Sequence, residues 1–200
     1  MNFLGGKTLD RLIARVVMFI TIHDLELRKL EYAESFAPGV IDLGPDLEQR
    51  NQLTTKGHAE LLEENHGGKQ KVQDIRLVGD FAAEVELKCA RCLEPVVNKL
   101  AEPYDLLYRP LGTIKTAGEV EISAADGEIG FYQGEGLLLE DALKEQVLLA
   151  VPVKALCSED CRGLCPHCGT NLNTASCACT EKTVDPRWNA LAGIKEKLRQ

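Results

Sequence analysis

The sequence has no apolar run long enough to cross a membrane, since a spanning helix needs about 20 such residues in succession. The apolar stretch 16–22 is much shorter than this. No small-residue cleavage site follows it, and His23 and Asp24 end it, so we do not interpret it as an export signal. We therefore expect the protein in the cytoplasm, where cysteine thiols stay reduced.

The chain also lacks an excess of positive charge. It has 23 Lys and Arg residues against 31 Asp and Glu residues, and its net charge is −8. Proteins that hold nucleic acid through its phosphates alone need charge of the opposite sign. We therefore expect weak affinity for generic duplex RNA. Contact with RNA would need a local basic patch or a protein partner.

Residue combinations typical of enzymes are absent as well. The four histidines are scattered along the chain at His23, His58, His66 and His167. None of them belongs to a recognisable arrangement of nucleophile, base and orienting group. The Gly-Gly pairs at 5–6 and 67–68 lack the lysine and the spacing of a phosphate-binding loop. The sequence thus argues against an enzyme, and an RNA-processing enzyme without an evident motif stays open as an alternative.

Cysteine, in contrast, is concentrated in one segment. Six of the eight cysteines lie within the 23 residues 157–179, and the other two form the pair Cys89-Ala-Arg-Cys92. The sequence Cys165-Pro-His-Cys168-Gly169 is typical of a metal knuckle. Two thiolates three positions apart can bind one ion, and glycine lets the backbone turn toward the sulfurs. Eight thiols in this pattern predict two sites of four sulfurs each.

The spacing also predicts how the cysteines divide between the two sites. The arm between Cys168 and Cys177 is long enough to fold back on itself. The first predicted site therefore consists of Cys165, Cys168, Cys177 and Cys179. The remaining thiols make up the second predicted site, namely Cys89, Cys92, Cys157 and Cys161.

Zinc is the predicted ion at both sites, and an iron–sulfur cluster stays open because four thiolates hold either group. Disulfides are disfavoured in a reducing compartment, and a thioredoxin-like pair needs fewer thiols than are present. For Cys89 and Cys92, a tight turn without metal is the alternative. Arg91, between these two cysteines, is interpreted as a solvated side chain.

Alternation of apolar and polar residues identifies the main strand. From Ile75 to Cys89 every second residue is apolar, apart from one glycine, which is typical of a half-buried antiparallel strand. Residues 90–95 then predict a turn into a strand around 96–108, with Cys89 and Cys92 at the tip of the hairpin. Further strands are predicted at 55–64, 119–123 and 128–132, and Ile20 and Ile22 are interpreted as part of another strand.

One helix is predicted from Leu137 to Ala150, where apolar residues recur at helical spacing and Pro152 follows. Its acidic residues, Glu140, Asp141 and Glu145, are interpreted as a solvated face rather than as catalytic acids. The predicted fold class is therefore α+β. An antiparallel β-sheet is packed by one long helix and is followed by a cysteine-rich zinc-knuckle segment and a final short helix.

These patterns divide the chain into four predicted parts. Residues 1–17 are an N-terminal extension, for which a start of translation at Met18 is an alternative. Residues 18–153 form a β-rich core, and residues 154–180 form the cysteine-rich metal-binding segment. Residues 181–200 form a C-terminal tail, and its predicted helix begins at about Arg187.

Several motifs occur in an order typical of one family. They are Cys89-Ala-Arg-Cys92-Leu-Glu-Pro95, the helical segment 140–146 with Pro152, the run 156–173, and Cys177-x-Cys179 followed by Asp185-Pro-Arg187. From Met18 onward the chain resembles the YceD family, the large ribosomal RNA subunit accumulation proteins of bacteria and plastids. The resemblance implies a cytoplasmic, non-enzymatic factor in ribosome assembly or precursor RNA processing. It supplies no catalytic residues.

The partners that the resemblance implies are a large-subunit ribosomal RNA precursor or a ribosomal protein. Asp80, Glu84 and Glu86 lie on the polar side of the main strand. They are interpreted either as a docking surface for a basic ribosomal protein or as the solvated side of the sheet, and both interpretations stay open. A zinc- or redox-responsive regulator is the alternative function from another class.

Overall fold

The computed structural model describes residues 18–65, 71–112 and 129–179. The N-terminal extension 1–17, the predicted strand 119–123 and the predicted final helix of the tail lie outside the described residues. Within the described residues, no helix has the length and apolar character needed to cross a membrane.

The described residues form eight strands and two helices. In chain order these are β1 (Phe19–Thr21), α1 (Ile22–Leu27), β2 (Leu30–Phe36), β3 (Glu48–Gln49), β4 (Leu53–Asn65), β5 (Lys71–Lys88), β6 (Pro95–Pro110), β7 (Ile129–Tyr132), β8 (Gly136–Leu138) and α2 (Leu139–Ala150). Six strands make one sheet in the order β2-β4-β5-β6-β7, with β3 also paired to β5. Strands β1 and β8 form a separate antiparallel pair.

Strand β5 is the centre of the sheet, and its predicted alternation is confirmed. It has 18 residues and pairs with β4 on one side and β6 on the other. Its inward side chains are buried, and Ile75, Leu77 and Val85 are fully inaccessible to solvent. The predicted hairpin is also confirmed, because β6 begins at Pro95, directly after the turn. This strand therefore sets both the core and the position of the hairpin tip.

The sheet is not purely antiparallel, which corrects the predicted fold class in one respect. Strand β7 pairs with β6 in parallel, so that Tyr108 lies opposite Gly130. A parallel partner requires a connection that carries the chain back to the starting end of the sheet. The chain between the two strands includes residues 113–128, which lie outside the described residues.

Helix α1 was not predicted, and Ile22 belongs to it rather than to a strand. Thr21 is its N-cap, and its Oγ1 accepts a hydrogen bond from the Asp24 amide at 3.0 Å. A threonine followed three residues later by an acid is a known helix start signal. The alternation of Ile20 and Ile22 predicts a strand, whereas the Thr21 cap predicts a helix. The structure has the helix, which is six residues long.

The prediction of one long helix is not supported. The structure has two helices within the described residues, of six and twelve residues. Helix α2 begins at Leu139 rather than Leu137, because residues 136–138 pair with β1 as strand β8. The apolar face of α2 packs on the sheet and buries Leu143 and Val147.

The interpretation of Glu140 as solvated was wrong. Its side chain is only 9% exposed, and Oε1 accepts a hydrogen bond from the Met18 amide at 3.0 Å. Oε2 is buried without a hydrogen-bond partner within the described residues. Asp141 and Glu145 are exposed, as predicted. The residues at the start of β1 cover the start of α2. Glu140 is therefore buried, although its side chain is polar.

The acidic residues on the outer side of β5 each have a basic neighbour. Asp80 lies 3.8 Å from Lys56 Nζ, and Glu84 lies 3.3 Å from Lys99 Nζ. Glu86 accepts from the Arg50 guanidinium. These pairs cancel most of the local charge, so the structure favours the solvated sheet face over the docking surface at this position.

We expect Leu143→Asp to destabilise the protein severely. Leu143 is 1% exposed, and an unpaired carboxylate there would lose the core contacts of α2. The expected loss of unfolding free energy is about 4 kcal/mol, measured by urea denaturation. Leu149→Asp is the matched control, because Leu149 is 72% exposed on the same helix. Equal urea midpoints for the two variants would contradict the placement of α2 in the core.

Candidate metal centres

The first group of four cysteines is assembled by the β5–β6 hairpin and the segment that follows α2. Cys89 comes directly after β5 and is fully buried, and Cys92 lies in the turn before β6. The later segment runs beside this turn, where the Ala90 amide donates to the Ala155 carbonyl at 2.8 Å. The members of this hairpin cluster are Cys89, Cys92, Cys157 and Cys161.

Arg91 connects the two parts of the hairpin cluster and is exposed to solvent, as predicted. Its Nη1 donates to the carbonyl oxygens of Glu159 at 3.0 Å and of Cys161 at 2.8 Å. Its own carbonyl accepts from the Leu164 amide at 3.1 Å. The guanidinium thus fixes the loop that carries the second pair of cysteines.

The second group of four cysteines is assembled within the C-terminal segment alone. Leu164 forms an isolated β-bridge with Asn171, which closes the loop containing the first two thiols. Within this loop the Cys165 amide donates to the Thr170 carbonyl at 2.8 Å. The members of this tail cluster are Cys165, Cys168, Cys177 and Cys179.

The sulfur positions in both clusters fit a four-coordinate metal ion. Within each cluster all four Sγ atoms lie within 4.8 Å of one another. In the hairpin cluster, Cys89 Sγ is 3.8 Å from Cys161 Sγ, and Cys92 Sγ is 3.6 Å from Cys157 Sγ. A tetrahedral zinc site with bonds of about 2.3 Å spaces its sulfurs about 3.8 Å apart. All eight cysteines are free thiols, so each cluster could hold a metal ion.

The two Cys-x-x-Cys turns have the same backbone geometry. The Gly169 amide donates to the Cys165 carbonyl at 2.9 Å, and the Leu93 amide donates to the Cys89 carbonyl at 3.0 Å. Gly169 has φ of 72° and Leu93 has φ of 63°, both in the left-handed region. This region costs a residue with a Cβ atom about 1–2 kcal/mol. Leu93 is therefore held there by the hairpin and its cluster.

Hydrogen bonds to the sulfurs favour the thiolate form. Amide hydrogen bonds from Arg91 and Cys92 lower the pKa of Cys89 to about 6. The hydroxyl and amide of Thr170 lower the pKa of Cys168 to about 6. The neighbouring Cys168 in turn raises the pKa of Cys179 to about 12. A thiolate at one sulfur thus disfavours a thiolate at its neighbour. A divalent cation between them would offset this repulsion.

Two asparagines connect the clusters. Asn173 Nδ2 donates to Cys161 Sγ at 3.3 Å, and Asn173 Oδ1 accepts from the Arg162 amide at 2.7 Å. Asn171 Oδ1 accepts from both the amide and the side chain of Asn173 at 3.0 Å. The loop of the tail cluster therefore supplies a donor to a sulfur of the hairpin cluster.

The structure brings together the same two sets of four cysteines that the sequence predicted. Metal binding by these sets remains a prediction. Sequence reasoning missed Thr170 and Asn173 as donors to sulfur. Short polar residues are common in any turn, so no local signal separates a donor to sulfur from an ordinary turn residue.

A family model described as large ribosomal RNA subunit accumulation protein YceD matches residues 77–195. The matched part begins within β5 and includes all eight cysteines. Among curated proteins, an uncharacterized protein of Mycobacterium tuberculosis is 31% identical over 121 residues, which cover 60% of this chain and 55% of that protein.

Two plant proteins, each named large ribosomal RNA subunit accumulation protein YCED homolog 1, chloroplastic, are also similar. The protein from Arabidopsis thaliana is 23% identical over 152 residues, covering 66% of this chain and 47% of the relative. The protein from Zea mays is 30% identical over 133 residues, covering 55% of this chain and 45% of the relative. The chain spans about half the length of these relatives. No solved structure matches the chain at a comparable level.

The two clusters predict two bound metal ions per chain. We expect Cys89→Ser and Cys168→Ser each to lower the content to one ion, because each removes a ligand from one four-sulfur site. Elemental analysis of the purified protein measures this content. Ser158→Ala, beside Cys157, is the control that keeps both ions. If the wild type contains one ion and Cys89→Ser does not change this content, Cys89 and Cys92 form a turn without metal.

Proposed function

The chain belongs to the YceD family of large ribosomal RNA subunit accumulation proteins, and we propose that it is a non-enzymatic factor that supports accumulation of large-subunit ribosomal RNA. The family match over residues 77–195 carries this proposal, because it contains the tip of the β5–β6 hairpin and both cysteine clusters. The names of the plant relatives point to the same RNA. The protein would act during ribosome assembly, in the cytoplasm, through a precursor RNA or a ribosomal protein.

A structural rather than catalytic use of the metal sites supports the non-enzymatic proposal. Four sulfurs around an ion at either cluster would leave no open position for a water or a substrate. His167, in the turn of the tail cluster, is exposed to solvent and belongs to neither group of four. We therefore assign the two clusters a structural role rather than a catalytic one.

Zinc is the ion that we propose for both clusters. The sulfur spacing fits tetrahedral coordination, and the Cys-x-x-Cys turns direct amide groups at the sulfurs. Bound zinc would tie the hairpin tip to the segment after α2, because residues from both must converge on one ion. The free energy of metal binding would then contribute to folding of the C-terminal segment.

A redox-responsive regulator is the second candidate, and the tail cluster is the observation that favours it. Cys168 and Cys179 are exposed, and the pKa of Cys168 is lowered to about 6 by Thr170. Exposed thiolates react with oxidants more readily than buried thiols. Release of metal by mild peroxide, with retention of the sheet, would favour this candidate over a purely structural cluster.

We expect aerobically purified protein to contain zinc and no visible charge-transfer absorption. Zinc has a filled d shell and is colourless, whereas iron bound by thiolates absorbs in the visible range. Elemental analysis with an absorption spectrum decides between the ions. Iron at one atom or more per chain, together with visible absorption, would contradict the zinc assignment and favour an iron centre. The proposed ligand sets would stay the same.

Deletion of the gene should lower large-subunit ribosomal RNA relative to small-subunit ribosomal RNA in the host. The two RNAs are quantified from total RNA, and precursors are separated by length. Re-expression of the wild type or of Ser158→Ala should restore the ratio. An unchanged ratio in the deletion strain would contradict the proposed function. Cleavage of precursor RNA by the purified protein alone would contradict its non-enzymatic part.

A further inference from the structure

A groove runs along α2 where the helix meets strands β6 and β7. It consists of two adjoining cavities of about 400 Å³ each. Tyr108 and Glu145 line both cavities, so the two cavities adjoin at these side chains. We call it the α2 groove, and its remaining aromatic wall consists of Phe19, Phe131 and Tyr132.

The floor of the α2 groove depends on a glycine. Gly130 lies opposite Tyr108 in the parallel pairing of β6 and β7. A Cβ atom at Gly130 would lie 2.5 Å from the Tyr108 ring, so any larger residue would displace the ring. Phe131, the next residue, is 53% exposed, and Phe19 is 44% exposed across the groove. Aromatic faces are thus presented to solvent at one place.

Two carboxylates lie on the rim of the α2 groove. Asp141 and Glu145 are one helical turn apart on α2, both are exposed, and both line the first cavity. Neither forms an ion pair within the described residues, whereas the acidic side chains on β5 all do. Burial raises the pKa of Tyr108, with a further contribution from Glu145 and Asp141. Among the described residues, the negative charge of these two carboxylates therefore acts on the groove floor without a paired base.

We propose that the α2 groove binds a basic, partly apolar segment of a protein partner. A lysine or arginine side chain lies over Tyr108 and pairs with Asp141 and Glu145, and apolar neighbours contact Phe19 and Phe131. Aromatic rings attract cations that lie within about 6 Å of the ring centre, and carboxylates add to this attraction.

This inference rests on the proposed function and names its partner class. Proteins that bind RNA phosphates carry an excess of basic residues, which gives the groove a complementary ligand. RNA itself does not fit, because its phosphates would be repelled by Asp141 and Glu145. The docking surface for a basic ribosomal protein is therefore α2 and not the outer side of β5, where the acids are already paired.

The test uses the full chain and a fluorescein-labelled peptide of alternating arginine and leucine, followed by fluorescence anisotropy. The same peptide with glutamate in place of arginine is the charge control. We expect the arginine peptide to bind and the glutamate peptide not to bind. The double variant Asp141→Asn/Glu145→Gln should weaken binding about tenfold, as two partly exposed ion pairs would. Phe131→Ala should also weaken it, since it removes an exposed ring from the wall.

The matched control is Glu31→Gln/Asp46→Asn, which makes the same change in net charge at exposed carboxylates away from the groove. It should leave peptide affinity within about twofold of the wild type, because screening limits distant charges. An equal loss in both double variants, or no loss in either, would overturn the groove as the binding site. Binding of an RNA duplex that is lost in the Asp141→Asn/Glu145→Gln variant would overturn the protein partner in favour of RNA.

Complementation separates this inference from the function on which it rests. A normal ribosomal RNA ratio in a strain that carries only Asp141→Asn/Glu145→Gln would overturn the groove's role and leave the proposed function intact. A normal ratio in the deletion strain would overturn the proposed function itself, whatever the peptide measurements show. A reduced ratio in the variant strain, with the protein present at wild-type level, supports both.

Discussion

The arrangement of the C-terminal segment depends on the meeting of four sulfur atoms at the tip of the β5–β6 hairpin. After α2 ends at Ala150, the described residues contain neither helix nor strand, apart from one isolated β-bridge. Such a segment buries little apolar surface and has few backbone hydrogen bonds to hold it in place. Cys157 and Cys161 meet Cys89 and Cys92 at the tip of the hairpin, whose position is set by the pairing of β5 with β6. A metal ion shared by the two pairs would convert that proximity into stability.

The parts of the fold that could be predicted depend on local patterns of sequence. The alternation in β5 is long, and a shift by one residue would expose its whole apolar side, so its register follows from the sequence. The grouping of the cysteines follows from their close pairs, since neighbouring thiols at a tight turn point to one place. The burial of Glu140 and the parallel pairing of β7 could not be predicted in this way, because each depends on a contact with a distant part of the chain. Helix α1 is different, because its Thr21 cap is a local signal that sequence reasoning missed.

The distribution of charge on the surface also depends on the fold and cannot be predicted from composition. A net charge of −8 describes the whole chain. The carboxylates of Asp80, Glu84 and Glu86 nevertheless each pair with a basic side chain from a neighbouring part of the sheet. Asp141 and Glu145, on the amphipathic helix α2, have no such ion pair within the described residues. Strand register places Lys56 opposite Asp80 and Lys99 opposite Glu84, so the pairing of these acids becomes visible only once the sheet is assembled.

The two cysteine clusters differ in burial, and this difference suggests a division of roles. Three of the four cysteines in the hairpin cluster are buried, with Val96, Leu156 and Leu164 packed around them. In the tail cluster only Cys165 is buried. Most sulfurs that would hold an ion in the hairpin cluster are shielded by this packing, whereas two of those in the tail cluster, Cys168 and Cys179, are exposed to solvent. Asn173 lies in the loop of the tail cluster and donates to Cys161, so loss of an ion from the tail cluster would loosen a donor to the hairpin cluster. The tail cluster is thus placed to respond to its surroundings, and the hairpin cluster to stabilise the fold.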